Sequence, residues 1–211
     1  MKTRIFTVIA VTGLTTVASL LAACAAHRHV ECDGDECERA DYVDHAHGDA
    51  PEVTKAADPA TRAALFGRVA KLEGEWIMDM TAEEIAQQGP PQTSIIKVTS
   101  GGSIVRDIMF PGSEHEMTNV YHMDGDELVM THYCAIGNQP RMEAELNDGH
   151  NHAANEIHFQ FDEVSNLTSA DQGYMGEVVL TFVDDNHYMQ TWKHFQGGKV
   201  TSGPVMKWKR K

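Results

Sequence analysis

A histidine, a thiol, two amides and a guanidinium lie within one short stretch of the chain. Alternation along a strand places the side chains of His132 and Cys134 on the same face. Asn138 and Gln139 follow in a predicted turn, and Arg141 begins the next strand. Gathered at one end of a cavity, such groups can hold a polar head group, and the Arg fork suits a carboxylate.

Three further side chains are candidates for the same space, depending on strand register: Tyr121, His158 and Trp192. A purely structural role for these residues is an alternative to ligand binding. Asn138 and Gln139 can simply shape a loop by capping backbone groups, and His132 can be a hydrogen-bonded core residue.

An enzyme is an alternative hypothesis, because a histidine two residues from a cysteine can activate the thiol as a nucleophile. Against it, Cys134 is equally a small buried apolar residue. The sequence has no Gly-x-Ser-x-Gly elbow, no His-Glu-x-x-His and no phosphate-cradling glycine loop. We therefore expect no enzyme of those classes.

A second group of ligand-type side chains lies near the N-terminus, at His27, His29, Cys32 and Cys37. Sulfur and imidazole are ligands of borderline-soft metals, and the cysteine spacing suits a zinc pair. A small disulfide loop and a plain His-rich acidic spacer are the competing interpretations. Metal binding or buffering by this segment is thus an alternative function.

The residues before this segment predict an export signal. Lys2 and Arg4 precede an uncharged apolar run over 5–20, and Leu-Ala-Ala-Cys follows at 21–24. The tetrapeptide resembles a bacterial lipobox, so we expect a signal peptide over 1–23 and acyl chains such as palmitate on Cys24. An alanine follows the cysteine, which by resemblance to Gram-negative sorting rules predicts the outer membrane, facing the periplasm.

The charge balance excludes some partners. Lys and Arg number 17 against 31 Asp and Glu, a formal net charge of −14. Such a chain has no electrostatic reason to bind nucleic acid or anionic lipid head groups, so the predicted lipid does the tethering. Residues 24–57 are too polar to fold alone and read as a flexible tether.

The predicted folded domain covers 58–211. Asp58 and Pro59 are typical of a helix start, and apolar residues at helical spacing run to Gly74. The period then changes to two. The candidate strands are Glu75–Met80, Gln92–Thr99, Ser103–Phe110, Glu116–Met123, Glu127–Cys134, Arg141–Glu145, Glu156–Glu163, Gly176–Asp184, His187–Phe195 and Val200–Lys209. The segment 81–88 fits either a short helix or more strand.

Ten short strands joined by tight turns predict an antiparallel meander that closes into a barrel, because open edges aggregate. A ten-stranded barrel is wider than one that side chains readily fill, so we expect a cavity.

Several motifs carry a family resemblance. The sequence Gly-Glu-Trp at 74–76 resembles the opening of lipocalin-like (calycin-type) barrels, and the blocks 121–126, 131–134 and 137–142 resemble an uncharacterised bacterial family of such domains. The family is similar in plan to nitrobindin and the fatty-acid-binding proteins. The resemblance implies a mainly β barrel preceded by one short helix, holding a small apolar or amphipathic ligand. Haem or a metal ion is a candidate cofactor, although no motif transfers nitrobindin's haem ligand to a residue here.

Overall fold

The computed structural model describes residues 53–149 and 153–211. The predicted signal peptide, Cys24 and the candidate metal ligands His27, His29, Cys32 and Cys37 therefore lie outside the described residues.

The described chain is mainly β. Its helices and strands are α1 (Pro59–Ala64), α2 (Phe66–Ala70), β1 (Gly74–Met78), α3 (Ala82–Gln88), β2 (Thr93–Thr99), β3 (Ile104–Met109), β4 (Met117–Asp124), β5 (Glu127–Tyr133), β6 (Gln139–Ala144), β7 (Glu156–Ser165), β8 (Tyr174–Asp184), β9 (His187–Gln196) and β10 (Lys199–Arg210). None of the described helices has the length and apolar character needed to cross a membrane.

The strands form a closed antiparallel barrel in which each pairs with its neighbours in sequence, and β1 pairs with β10 to close the ring. This confirms the predicted fold class, a ten-stranded barrel after a short helix. We call the end where β1 begins the helix end, because α1 and α2 meet the barrel there. The opposite end, with α3 and the turns 110–116, 134–138 and 166–173, is the loop end.

The leading helix begins as predicted and then bends. The Asp58 carboxylate accepts hydrogen bonds from the backbone N–H groups of Ala60 and Thr61, at 2.8 and 3.1 Å. The helix breaks at Leu65, whose backbone is not helical. The bend lets four apolar side chains join the barrel core: Leu65, Phe66, Val69 and Leu72.

The segment whose conformation the sequence left open is helix α3. Thr81 caps it through a reciprocal pair of bonds with Glu84, the side chain of each accepting from the other's backbone N–H, at 3.2 and 2.7 Å. The helix ends at Gly89, whose φ of 90° is in the range that favours glycine. Strand β1 therefore stops at Met78, two residues earlier than the spacing predicts.

Candidate functional site

A hydrogen-bonded network of polar side chains runs through the barrel interior. Its centre is Asp107 on β3, which is 1% exposed and bonds the hydroxyl of Ser94. The other carboxylate oxygen accepts from the side-chain amides of Asn119, at 3.0 Å, and Gln190, at 3.3 Å. Gln190 in turn accepts from the indole N–H of Trp208, at 3.2 Å. Four strands are thereby linked to β3 through buried polar contacts.

The same network reaches His132. Asn119 donates to Asp107 through its amide nitrogen, so its oxygen is left to accept from His132 Nδ1, 2.7 Å away. The proton of the neutral imidazole is therefore on Nδ1, and Nε2 carries a lone pair. Within the part of the chain that the structure describes, Nε2 has no hydrogen-bond partner.

Burial shifts two pKa values in the network in opposite directions. Burial lowers the pKa of His132 from 6.5 to about 4, so the imidazole is neutral at physiological pH. Burial also raises the pKa of Asp107, against the opposing effect of the hydrogen bonds from Ser94, Asn119 and Gln190. Neither group gains a counter-charge inside the barrel, since the described buried polar side chains include no Lys or Arg.

A second set of buried polar atoms lacks partners. The indole N–H of Trp192 and the side-chain oxygen of Asn138 are buried without a hydrogen bond among the described residues. The rings of Trp192 and His132 are 5.0 Å apart and tilted by 53°. Asn138 lies in the loop-end turn after β5, and its amide nitrogen donates to the Gly173 carbonyl at 3.0 Å. The Tyr188 hydroxyl also lacks a bond of normal geometry, but it lies beside Ser94 in the network.

Four of the residues predicted from sequence for the ligand site are inside the barrel, namely Tyr121, His132, Asn138 and Trp192. The structure brings His132 and Trp192 into ring contact. Tyr121 packs against Phe159, with ring centroids 5.8 Å apart.

The other four are not in this interior. Arg141 lies between the buried residues Pro140 and Met142, so alternation directs it outward, where it pairs with Asp162 and Glu143. His158 alternates outward in the same way and bonds Glu156 at 2.8 Å. The structure thus separates the Arg fork from His132, contrary to the expectation that they share one space.

Gln139 and Cys134 belong to the turn between β5 and β6. The Gln139 amide nitrogen donates to the Gly137 carbonyl at 2.9 Å, and the Gln139 side-chain oxygen accepts from the Ser165 hydroxyl at 3.0 Å. These are the bonds of a residue that shapes its loop. Cys134 is a half-buried free thiol just beyond the last residue of β5, so strand alternation no longer fixes its direction. The described residues include no hydrogen bond between the Cys134 thiol and His132.

The middle of the barrel is filled by its own side chains. Large residues with almost no surface accessible to water meet there, including Trp76, Trp208, Tyr188, Phe159, Met109, Met130 and Met142. The expectation of a wide cavity fails at this level because indole rings and methionines fill the extra width that aliphatic side chains would leave open.

At the loop end, the barrel wall opens between two strands. β7 and β8 pair only over 156–159 and 178–181, and further on β7 follows β6 while β8 follows β9. Three rings stack at this split, with centroids 5.2–6.0 Å apart: Phe161, Tyr174 and Phe195. Gly176 makes the stacking possible, because a Cβ there would lie 2.5 Å from the Phe195 ring. Phe161 is 38% exposed.

Sequence reasoning missed the centre of the network, the residues Ser94, Asp107, Asn119 and Gln190. The signal is present in the pattern. Asp107 stands between Val105 and Met109 at apolar spacing, and Gln190 stands between Tyr188 and Trp192. A polar residue at an inward position needs a buried partner, so such positions mark an interior network.

In residues 53–149 and 153–211, no group of three or more His, Cys, Asp or Glu side chains is arranged to hold a metal ion. No model of a known protein family matches the chain, and no curated protein is similar to it. The closed barrel is compatible with a lipocalin-like fold.

Proposed function

We propose that this protein is a lipid-anchored envelope protein that binds a small, largely apolar molecule inside the loop end of its barrel. The observation that carries the proposal is two buried polar atoms there that have no partner among the described residues, Trp192 Nε1 and Asn138 Oδ1.

The energetic reason is the cost of such atoms. A buried polar group without a partner costs about 1–3 kcal/mol, and native proteins keep few of them. In the neighbouring network the amides of Asn119 and Gln190 and the indole N–H of Trp208 all have partners, so the fold is able to pair buried polar atoms. A ligand that bonds to Trp192 Nε1 or Asn138 Oδ1 would offset the cost of leaving these atoms unpaired.

The split between β7 and β8 supports access. The split is at the loop end, the same end as His132 and Asn138. Aromatic rings cover it, and no backbone pairing between β7 and β8 closes it there. Displacing the partly exposed Phe161 ring breaks no strand pairing with β8, so entry there leaves the barrel closed elsewhere.

The first experiment is native mass spectrometry of the full-length protein purified from its own host. We expect a retained small molecule to appear as extra mass, and we expect Trp192→Phe to reduce its occupancy. If no mass is retained and no component of a metabolite extract is enriched on the protein, the proposal fails.

The anchoring part has a separate test. Cys24→Ala removes the predicted lipid attachment site, and we expect the variant to leave the membrane fraction and collect in the soluble periplasmic fraction. An unchanged distribution between the two fractions would contradict the lipid anchor without affecting the ligand site.

A further inference from the structure

We infer that a surface cleft at the helix end of the barrel binds a small organic oxyanion, such as a phosphate monoester. The cleft is lined by α2, by the turn that joins β8 to β9 and by the end of β10, and its volume is about 490 Å³. It lies at the opposite end of the barrel from the proposed loop-end site, so neither site depends on the other.

The cleft brings positive charge together in a chain that is acidic overall. Three cations line it, Arg68, Lys71 and Arg210, although the sequence has only 17 Lys and Arg against 31 Asp and Glu. A local group of cations attracts anions at short range even where the net charge of the protein is negative.

Two carboxylates line the same cleft. The carboxylate of Asp184 already accepts from the backbone N–H of Asn186, at 2.7 Å, and lies 2.9 Å from His187 Nδ1. Asp185 is exposed, and its charge opposes an incoming anion. The three cations therefore outnumber the acids of the cleft, and one of those acids is engaged elsewhere.

Arg68 is a half-buried cation that lacks a counter-ion. Its guanidinium lies 4.4 Å from the centroid of the Phe182 ring and donates to the Glu156 carbonyl at 3.0 Å, but no carboxylate among the described residues pairs with it. Burial lowers its pKa, because burial disfavours the charged form. By contrast, Arg141 on the outer face has three carboxylate neighbours. A bound anion would offset the desolvation of Arg68.

Arg210 is held in place before any ligand arrives. Its guanidinium donates to three backbone carbonyls, those of Lys71 at 3.2 Å, Glu73 at 2.8 Å and Asp185 at 3.2 Å. Gly74 permits this arrangement, because a Cβ there would lie 2.6 Å from Arg210 Nη1. A cation fixed by carbonyls loses little further side-chain entropy when it binds an anion.

The remaining hydrogen-bond donors indicate the ligand class. A guanidinium has five N–H donors, of which Arg68 uses one and Arg210 uses three among the described residues. Guanidinium groups suit the oxygens of phosphate and carboxylate, and the additional charge of Lys71 favours a doubly charged phosphate ester. Leu72 and Phe182 line the same cleft and offer apolar surface to a small organic group.

The test compares phenyl phosphate with phenol, which has the ring but no charged group. Binding to the purified full-length protein is measured by isothermal titration calorimetry at pH 8, where a phosphate monoester with a second pKa of about 6 is a dianion. We expect phenyl phosphate to bind at least tenfold more tightly than phenol. Absence of phosphate binding, or equal affinity for the two probes, would overturn the inference.

A pair of arginine variants locates the contact. Arg68→Gln removes a cleft cation, so we expect phenyl phosphate to lose at least tenfold in affinity, as for one charge-assisted hydrogen bond. Arg62→Gln is the matched control, because Arg62 also lies over a ring, 4.5 Å from the Phe66 centroid, and donates to the Gly102 carbonyl at 3.1 Å, but does not line the cleft. Equal losses in the two variants would contradict the assigned site.

Two exposed residues keep the test decisive if Arg68→Gln does not fold. Lys71→Gln should weaken phenyl phosphate binding about threefold, and Asp185→Asn should strengthen it about threefold, because each removes one exposed charge of the cleft. Unchanged affinity in both variants would overturn the inference. Trp192→Phe should leave phenyl phosphate binding unchanged, and a loss there would place the probe at the loop end instead.

Discussion

Trp208 and Trp192 are inward-facing tryptophans on the adjacent strands β10 and β9, but only one of their indole N–H groups has a hydrogen-bond partner among the described residues. The N–H of Trp208 donates to Gln190 and so joins the network around Asp107. The N–H of Trp192 has no partner, although its ring contacts the imidazole at the end of the same network. The comparison teaches that Gln190 gives one buried indole N–H a partner within the fold, whereas the described residues leave the other without one.

The largest effect is expected at the centre of the network. Asp107→Ala leaves the hydroxyl of Ser94 and the amides of Asn119 and Gln190 without their acceptor, so we expect a loss of about 4 kcal/mol in the free energy of unfolding. Urea denaturation measures it. A loss below about 1 kcal/mol would show that the network does not hold the fold.

Asp107→Asn is the matched control, because it keeps an oxygen for the two amides and offers a nitrogen to Ser94. A carboxyl with a raised pKa stabilises the fold fully below its unfolded value, about 3.8, and loses that contribution as the pH rises through its folded pKa. We therefore expect Asp107→Asn to be at least as stable as the wild type at pH 7, with the difference narrowing toward pH 4. A difference that widens on acidification would contradict the raised pKa of Asp107.

The next largest effect comes from His132, whose contribution to the free energy of unfolding falls as the pH is lowered, opposite to that of Asp107. Its pKa is lowered to about 4, so the unfolded chain binds a proton between pH 6.5 and 4 that the folded chain does not. We expect this residue to remove about 3 kcal/mol of stability over that window as the pH falls. His132→Asn keeps a donor for Asn119 and does not titrate, so urea denaturation at pH 7 and 4.5 should show a smaller acid loss in the variant. Equal losses would contradict a buried neutral histidine.

The two tryptophans provide the direct test of the comparison. Trp208→Phe and Trp192→Phe remove similar volume, but only the first leaves a buried acceptor, Gln190 Oε1, without its donor. We expect Trp208→Phe to lower the free energy of unfolding by about 1–2 kcal/mol more than Trp192→Phe. Equal costs in denaturant titrations would remove the distinction between the two regions.

The smallest effect is expected on the outer face. Arg141 pairs with Asp162 and Glu143 in contact with solvent, and such ion pairs contribute about 0–1 kcal/mol. Arg141→Gln should therefore change stability by less than about 1 kcal/mol, and less still in high salt. A larger loss of stability in thermal or urea unfolding would show that these ion pairs contribute more to the fold than solvent-exposed ion pairs usually do.

Much of the fold is readable from the sequence, because strand period and turn residues are local signals. Helix α3 is also local, since Thr81 and Glu84 have the spacing of a capping box, but the strand signal before it obscures the boundary. The outward direction of the Arg141 side chain follows from its buried neighbours. Its partner Asp162 is on β7, however, and predicting that contact requires the register between β6 and β7. The contact of His132 with Trp192 depends on the barrel being closed, and no local pattern contains it.

The barrel is closed by the last residues of the chain. Trp76, Ile77 and Met78 pair with Trp208–Arg210, and the Arg210 guanidinium lies over the Trp76 ring while it donates to the carbonyls of Glu73 and Lys71. A chain synthesised from its N- to its C-terminus therefore has β1 complete long before β10, its partner in the closed ring. Until β10 follows, β1 has no partner on one side, so a chaperone that shields β1 would have most effect during that interval.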